Sequence, residues 1–282
     1  MKPIIKYQGG KSKELPLIKQ LLPSHFSRVI EPFCGGAAVS FGLGYPALLS
    51  DINKDVINLY WTVADPTLYP SLQKHVDEIK GYEHDQLQEE YYKARDLINT
   101  DGSSFSRALS YIVMRQLCFS GMERYNSKGD FNVPFGHYKN FSCNLSPDHH
   151  NYLKKCEIKL GSFVDTLESV KSDDFVFVDP PYLERLGYTE GDGGLSLHED
   201  LLGCLKDTQG KWMIIHSDHE FYRDSYKDFN IIEKDFAYSQ RFGKDKDHSG
   251  AKVKHLYITN YDTSMPVVKL AQNPLESALS AL

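Results

Sequence analysis

The amino-acid sequence predicts an α/β fold in which helices flank a mostly parallel sheet. Short apolar stretches in it are typical of buried strands, and helical patterns lie between several of them, as at residues 12–22 and 197–205. Strands that alternate with helices favour a parallel sheet, because each crossover helix returns the chain to the same edge. The predicted strands are residues 29–30, 48–49, 157–160, 175–178, 213–215 and 256–258.

The middle of the chain has a different composition. Residues 57–152 begin with polar helical segments and pass into a loop, residues 121–141, that is rich in Gly, Asn, Phe and Tyr. This change indicates an insert within a sheet domain that comprises residues 1–56 and 153–262. Residues 263–282 lose charge and pattern, so we expect a weakly ordered tail that ends in a short helix.

The composition is that of a globular protein with an ordinary core. A chain of 282 residues is long enough for one large domain or two modest ones, without a stabilising disulfide or metal. The N-terminus lacks the apolar stretch of a secretory signal, and no apolar run is long enough to cross a bilayer, so we expect a cytoplasmic protein without a membrane partner. Five cysteines without a CxxC pair predict free thiols.

The most informative motif is Asp179-Pro180-Pro181-Tyr182, which directly follows a predicted buried strand. Open α/β sheets bind their ligands at the carboxyl ends of the strands. Two prolines hold the chain extended and leave a carbonyl free, so an amine can donate one N–H to Asp179 and the other to the carbonyl of Pro180. Tyr182 can stack on a flat ring. The motif therefore predicts a reaction centre, although a strand-ending turn with a capping Asp would have the same sequence.

A second motif follows the first predicted strand. The turn Glu31-Pro32-Phe33-Cys34-Gly35-Gly36 is made of small residues and precedes a helix, which is typical of a turn that a ligand approaches closely. Asp51 lies 15 residues beyond Gly36, after the next predicted strand, where an acid can accept both hydroxyls of a ribose. Together they predict a site for a nucleoside-containing cofactor, whereas tight packing would explain the glycines alone.

Three other patterns fail to define a site. Gly10-Lys11-Ser12 ends like a phosphate-binding loop, but Ile5 stands where that loop needs glycine. Residues 51–55 resemble a calcium loop without its glycine and final glutamate. His216 and His219 lack a metal-binding helix signature. We therefore expect no metal.

These motifs together resemble those of the Dam-like DNA adenine N6-methyltransferases of bacteria and phages. Lys6-Tyr7-Gln8-Gly9-Gly10-Lys11 is similar to a Lys-Trp-Ala-Gly-Gly-Lys motif of that family, with Tyr in place of the more usual Trp. Residues 124–136 are similar to the family's recognition hairpin, and residues 174–182 and 213–219 match in place. The order of cofactor segment, insert and Asp-Pro-Pro-Tyr resembles the α-type arrangement.

The resemblance implies a Rossmann-like methyltransferase core that uses S-adenosylmethionine and produces S-adenosylhomocysteine. Asp51 would hold the ribose, Phe33 and Gly35 would pack against the cofactor, and Asp179 would lie near both the methyl group and the target amine. The implied cofactor-binding residues are Tyr7, Lys11, Phe33, Gly35, Asp51, Asp165 and Asp179.

The resemblance also implies double-stranded DNA as the partner, with a flipped-out adenine as the target, because a stacked base cannot present its amine to a strand-end pocket. Arg124 would bind a guanine edge, Phe119 would fill the gap left by the flipped base, and Met122 and Pro134 would contact thymine. Lys6 would contact the first guanine of a GATC site. The remaining implied DNA contacts are Ser120, Asn126, His137 and Tyr138. We expect a monomer or weak dimer on DNA.

The net charge of −6 does not by itself indicate a nucleic-acid partner, so the charge that binds DNA must be local. Two stretches have five basic residues against two acidic ones, and both suit phosphate contacts unless they are merely solvated loops. The basic residues of the first stretch are Arg107, Arg115, Arg124, Lys128 and Lys139; those of the second are Arg241, Lys244, Lys246, Lys252 and Lys254.

Alternative functions share part of this pattern. Methyltransferases that act on cytosine N4, an RNA adenine or a protein glutamine use the same fold and pocket, often with Ser or Asn in place of Asp179. A non-catalytic DNA-binding relative would not need Asp179, Tyr182 and Asp51 intact. A dinucleotide-dependent oxidoreductase is disfavoured, because Gly35-Gly36 lacks the full Gly-x-Gly-x-x-Gly spacing.

Overall fold

The computed structural model describes residues 1–100, 102–183, 194–237 and 252–263. The strands are β1 (Arg28–Glu31), β2 (Ala47–Asp51), β3 (Glu157–Leu160), β4 (Asp174–Val178), β5 (Lys211–Ser217), β6 (Asn230–Ala237) and β7 (Lys252–Thr259). Within the described residues these seven strands form one sheet in the order β3-β2-β1-β4-β5-β7-β6.

The sheet is mostly parallel, as predicted. Strands β3, β2, β1, β4 and β5 run parallel to their neighbours, and β7 pairs antiparallel with both β5 and β6. Strand β6 was not predicted; in its sequence Asn-Ile-Ile-Glu-Lys-Asp-Phe-Ala the two isoleucines are followed by three charged residues. It lies at the edge of the sheet, where fewer residues need to be apolar.

Helices cover both faces of the sheet. They are α1 (Leu15–Gln20), α2 (Ala38–Leu43), α3 (Lys54–Ala64), α4 (Tyr69–Ile79), α5 (His84–Ile98), α6 (Ser104–Leu117), α7 (Pro147–Leu153), α8 (Phe163–Leu167), α9 (Leu195–Asp207) and α10 (Glu220–Ser225). Alternate residues of β4 enter different cores, since Phe175 and Phe177 belong to one apolar cluster and Val176 and Val178 to the other. Both faces of a central parallel strand are thus buried, which explains its continuous apolar run.

The strand order reverses between β1 and β4. Chain connections run from β1 to β2 and β3 on one side, and from β4 to β5 on the other. The carboxyl ends of β1 and β4 therefore flank the switch point, where a crevice for ligands forms in open α/β sheets. The turn that begins at Glu31 and the Asp-Pro-Pro-Tyr motif that begins at Asp179 both lie at this edge.

The middle of the chain forms a helical layer with α6 at its centre. Every residue of α6 from Ser110 to Leu117 is buried, because the helix packs on both α5 and α3. Helix α3 also contacts β2 and β3, so the predicted boundary at residue 57 falls inside a helix that touches both regions. After α6 the chain forms a hairpin, with antiparallel bridges Cys118 to Phe135 and Tyr125 to Phe131.

Other sequence predictions concern residues that the structure does not describe. The C-terminal tail from residue 264 onward lies outside the described residues, as do Arg241, Lys244 and Lys246 of the second basic stretch. Among the described residues, no helix is both long and apolar enough to span a membrane. Within that same part of the chain, no group of three or more His, Cys, Asp or Glu side chains is arranged to hold a metal ion.

Candidate active site

The Asp-Pro-Pro-Tyr motif begins directly after β4, and its acid is paired with a buried lysine. The Nζ of Lys11 lies 2.6 Å from both Oδ1 and Oδ2 of Asp179, and it also donates to the carbonyl oxygen of Gly9 at 2.8 Å. The side chain of Lys11 is only 2% exposed and that of Asp179 is 20% exposed. A cation at this distance favours the ionised carboxylate, which is an acceptor-only group.

Tyr182 is held by a histidine on β5. The ring of Tyr182 lies 4.6 Å from that of His216, and the backbone N–H of Leu183 donates to Nε2 of His216 at 3.1 Å. Burial lowers the pKa of His216 to about 3, so the ring is neutral and its Nδ1–H donates to the carbonyl oxygen of Ser217. The sequence indicated a match at His216 but no role; its contacts show that it orients the end of the motif.

A buried glutamate next to Lys11 was missed by sequence reasoning. Glu14 accepts hydrogen bonds from Nδ1 of His255, at 3.0 Å, and from the hydroxyl of Tyr257. Burial raises the pKa of Glu14, but the bond from His255 and the charge of Lys11 outweigh burial, so the pKa is lowered overall. Glu14 therefore stays ionised and adds negative charge around Lys11. The spacing of three residues from Lys11 was the available signal.

Asp51 stands at the end of β2 beside the turn that follows β1. Its Oδ2 accepts the backbone N–H of Gly35 at 2.8 Å, and its Oδ1 accepts that of Asn53 at 2.9 Å. Burial raises the pKa of Asp51, and these backbone bonds oppose the rise. Each carboxylate oxygen retains a further lone pair, so Asp51 can accept hydroxyl groups while it shapes the turn.

The two glycines of this turn accommodate Tyr7. Gly35 has a φ of +43°, and a Cβ there would lie 2.5 Å from the ring of Tyr7. A Cβ at Gly36 would lie 2.8 Å from the Cβ of Tyr7. The tight packing that the sequence left as an alternative is therefore present, and it places an aromatic ring against the turn.

Aromatic side chains border the same edge of the sheet. Phe33 and Phe163 stack with ring centroids 5.3 Å apart, and both are partly exposed. Asp165 is exposed in the first turn of α8, where the Oγ of Ser162 accepts its backbone N–H at 3.4 Å. A cleft of about 490 Å³ is lined by residues of the N-terminal segment, including Lys6 and Tyr7, and by Gly36, Ala38, Gln116, Ser142 and Asn144, but not by Asp51 or Asp179. The hydrogen bonds, rather than this cleft, define the candidate site.

The hairpin after α6 exposes several of the residues predicted to contact DNA. Phe119 is 49% exposed, and Pro134 and Arg124 are also exposed. The Nε of Arg124 donates to Oδ1 of Asn132 at 2.7 Å, so the partner side of the hairpin orients the guanidinium. Arg124 can still present other N–H groups to a ligand.

Other predicted DNA contacts have structural partners in and around the hairpin. The Oδ1 of Asn126 accepts the backbone N–H groups of Lys128 and Asp130, so this side chain shapes the turn. The Nζ of Lys6 lies 4.0 Å from the ring centroid of Tyr138. Met122 is half-buried. Ser120 and His137 are exposed, and each has a positive φ of 54°.

The prediction that the first basic stretch contacts phosphates is wrong for two of its five residues. Arg115 has no exposed surface, and its Nη1 lies 3.3 Å from the Oε2 of Glu123. Arg107 is 13% exposed, and its Nη2 lies 2.7 Å from Oδ1 of Asp55. Both guanidinium groups form ion pairs where α6 packs against its neighbours. The sequence does not reveal this, because it does not show which faces of α6 are buried. Arg124, Lys128 and Lys139 remain exposed.

The sheet and the groups at its carboxyl edge define an α/β enzyme with an Asp paired to a buried Lys at the tip of β4 and an acid-supported turn after β1. Residues 7–240 match the family described as D12 class N6 adenine-specific DNA methyltransferase. The match covers most of the chain and includes every element described above from Tyr7 to β6. The chain therefore belongs to the D12 class of N6 adenine-specific DNA methyltransferases.

Individual relatives agree with this membership. The type II methyltransferase M.CviBI of Paramecium bursaria Chlorella virus NC1A is 34% identical over 278 residues, which cover 93% of this chain and 100% of that protein. The type II methyltransferase M1.LlaDCHI of Lactococcus lactis subsp. cremoris is 31% identical and covers 93% of this chain and 96% of that protein. The DNA adenine methylase of Haemophilus influenzae is 29% identical, with coverages of 80% and 82%. The predicted activity, adenine-specific DNA methylation, is confirmed.

Proposed function

We propose that the enzyme transfers a methyl group from S-adenosylmethionine to the N6 amine of an adenine flipped out of duplex DNA, within the sequence GATC. The observation that carries this proposal is the carboxylate of Asp179 at the tip of β4, which is paired with Lys11 and lies in the same site as Tyr182. A carboxylate next to a proline carbonyl is suited to an amine that has two N–H groups to donate.

Asp179 and Pro180 orient the target amine. The lone pair of the adenine amine is delocalised into the ring, and two fixed acceptors rotate the amine so that this lone pair points out of the plane. A carboxylate oxygen can accept from Lys11 and from the amine at once, so the ion pair need not break. The positive charge that develops on nitrogen is then stabilised by Asp179, an interaction that is strongest in the transition state, and the methylated nitrogen afterwards loses one proton to solvent.

The residues at the edge of the sheet suit S-adenosylmethionine. Asp51 offers lone pairs to ribose hydroxyls, and the partly exposed Phe33 and Phe163 offer apolar surface to an adenine ring. Exposed Asp165 lies close to Phe163 and can accept from an adenine amine. The sulfonium of the bound donor supplies a methyl electrophile with a neutral leaving group, so no acid is required on the leaving side.

The hairpin suits recognition of the DNA. The exposed Phe119 provides an apolar wedge for the gap that base extrusion leaves, and Arg124 provides a bidentate donor for a guanine edge. Lys6 and Tyr138 lie together beside the hairpin and offer a cation and an aromatic hydroxyl to the bases or phosphates. Met122 and Pro134 supply apolar contacts for the thymine methyl group.

The test uses methyl-labelled S-adenosylmethionine with a GATC duplex and duplexes that differ from it by one base pair. We expect label on adenine N6 in the GATC duplex alone, identified by nucleoside mass spectrometry. A duplex with N6-methyladenine already at both targets is the control and should accept no label. Label on cytosine or on RNA, or equal labelling of all duplexes, would contradict the proposed substrate.

A further inference from the structure

Arg115 is a fully buried guanidinium that joins two segments far apart in the chain. Its Nε donates to the carbonyl oxygen of Lys6 at 3.1 Å, Nη1 to that of Met122 at 3.3 Å and Nη2 to that of Gly121 at 3.2 Å. The carboxylate of Glu123 lies 3.3 Å from Nη1 and balances the charge. Because the guanidinium presents its donors in a rigid fork, its three carbonyl partners are held in a defined mutual arrangement.

The segment that contains Lys6 leads to the turn after β1. The Cζ of Arg115 lies 5.4 Å from the ring centroid of Tyr7, the residue after Lys6. The ring of Tyr7 is packed on Gly35 so closely that a Cβ there would clash with it. Gly35 in turn donates its N–H to Asp51. Because these contacts are continuous, a ligand that displaces this turn also displaces Tyr7 and its neighbours.

The other partners of Arg115 shape the entrance to the hairpin. Ser120 and Gly121 have φ values of 54° and 66°, and such consecutive left-handed residues are strained when one of them is not glycine. Arg115 binds the carbonyls of Gly121 and Met122, directly after this bend, and so stabilises it. This bend lies between Phe119 and Arg124 and therefore sets how the two residues are oriented relative to each other.

A second, smaller link connects the same two segments. The backbone N–H of Glu123 donates to Oε1 of Gln8 at 3.3 Å. Gln8 follows Tyr7 directly, so the segment that packs on the turn after β1 is attached to the hairpin entrance at two points.

We propose that Arg115 is a positioning residue that couples the cofactor side of the active site to the recognition hairpin, so that base discrimination depends on a side chain that contacts neither the methyl donor nor the DNA. This proposal rests on the proposed function. It assigns to Arg115 a role in specificity in place of the phosphate contact that its charge had indicated.

The test compares Arg115→Lys with a matched control, Arg107→Lys. Both arginines lie on α6 and are ion-paired and largely buried, but Arg107 binds Asp55 and the carbonyls of Ile98 and Thr100 rather than the hairpin. Lysine keeps the charge and loses the fork. The first readout is the ratio of kcat/KM for a GATC duplex to that for a duplex with one base pair changed. The second is the change in Kd for DNA on adding S-adenosylhomocysteine.

We expect Arg115→Lys to lower the kcat/KM ratio by at least about fivefold, the lower end of usual coupling between sites, and to diminish the effect of S-adenosylhomocysteine on DNA binding. Arg107→Lys should leave both within about twofold of the unmodified protein, a change too small to count as coupling. A loss of stability alone would lower the amount of active enzyme and would not change the ratio.

Gln8→Ala provides a variant that does not disturb a buried charge. We expect the same two changes with smaller amplitude, so it decides the matter if Arg115→Lys does not fold. Unchanged discrimination and an unchanged response to S-adenosylhomocysteine in a folded Arg115→Lys or Gln8→Ala protein would overturn the proposal. Failure of the unmodified protein to methylate any duplex would instead refute the proposed function, and the coupling with it.

Discussion

At the scale of single residues, the chemistry depends on the ion pair between the buried Lys11 and Asp179. Lys11 is 2% exposed, so its charge needs a permanent partner, and Asp179 is the carboxylate whose two oxygens it binds. Removing one member of a buried pair leaves the other uncompensated, which costs more than the pair itself contributes. The ion pair thus stabilises the fold and also holds in place the carboxylate that accepts from the target amine.

Asp179→Ala should abolish methyl transfer, because the amine loses its main acceptor, while binding to DNA remains measurable. We also expect a loss of about 1–3 kcal/mol in the free energy of unfolding, because the buried Lys11 loses its carboxylate partner and keeps its bond to Gly9. Incorporation of labelled methyl groups, DNA binding by fluorescence anisotropy and urea unfolding measure these effects. The double variant Lys11→Met with Asp179→Ala should recover stability but not transfer. Undiminished turnover of Asp179→Ala would refute the mechanism.

A second buried acid, Glu31, makes the stability of the protein depend on pH. Burial raises the pKa of Glu31 from 4.5 to about 7; bonds from Ser40 oppose the shift, and the charge of Asp179 adds to it. The folded protein therefore holds this proton more tightly than the unfolded chain. The stabilisation that this provides is present below pH 4.5 and is lost as pH rises to about 7.

Glu31→Gln should remove this dependence on pH. The amide oxygen can still accept the N–H of Ser40, which donates to Oε1 of Glu31 at 2.7 Å, but no charge forms at high pH. At pH 8 we expect the variant to be more stable than the unmodified protein by up to about 3 kcal/mol, and at pH 4.5 to differ little. Chemical unfolding at the two pH values measures the difference. Equal stabilities at pH 8 would show that folding does not raise the pKa of Glu31.

At the scale of elements, the hairpin after α6 combines rigid and exposed parts. The side chain of Asn126 shapes its turn, and Asn132 holds the guanidinium of Arg124. Phe131, Val133 and Phe135 are buried and attach the hairpin to the helical layer. A side chain held this way loses little freedom on binding, so it can discriminate between bases.

Arg124→Ala should relax discrimination at one base pair of the target by about 1–3 kcal/mol, because a bidentate contact to guanine is lost. The measurement is kcat/KM for a series of duplexes with single changes. Lys128→Ala is the matched control, since Lys128 is an exposed cation at the tip of the same hairpin. It should weaken binding to every duplex alike. A uniform loss for Arg124→Ala would mean that it contacts a phosphate instead.

At the scale of the whole molecule, an acidic protein must bind a polyanion through a limited surface. The chain carries 32 basic and 38 acidic residues, and the burial of Arg107 and Arg115 removes two cations from the surface that the sequence had assigned to DNA. Each phosphate that a cation neutralises releases counterions, so the number of contacts appears in the dependence of affinity on salt.

Lys128→Gln and Lys139→Gln together should reduce the slope of log K against log salt by about 0.9 per charge. Titrations of a duplex at several salt concentrations measure this slope. Lys171→Gln is the control, because this exposed lysine precedes β4 and therefore lies at the opposite edge of the sheet from the candidate site. Equal changes for the control and the hairpin variant would mean that the hairpin makes no special phosphate contacts.

The sequence by itself determined the elements whose signals are local. Runs of apolar residues marked the central strands, and the positions of Asp51 and Asp179 one or two residues after such runs placed them at the carboxyl edge of the sheet. Pro, Gly and acid residues at strand ends have short-range effects on the backbone, so their order along the chain suffices to predict them. The resemblance to Dam-like enzymes likewise rested on local motifs, at residues 6–11, 124–136, 174–182 and 213–219.

Only the tertiary structure decided which charges pair and which are buried. Lys11 and Asp179 are separated by 168 residues, and Glu14 and His255 by 241. Arg115 has the same charge as Arg124, yet one is sealed in α6 and the other is exposed. Burial and ion pairing depend on which distant segments pack together, and so does the pairing of the edge strand β6 with β7. Such contacts are properties of the assembled fold, because desolvation acts only once the neighbours are in place.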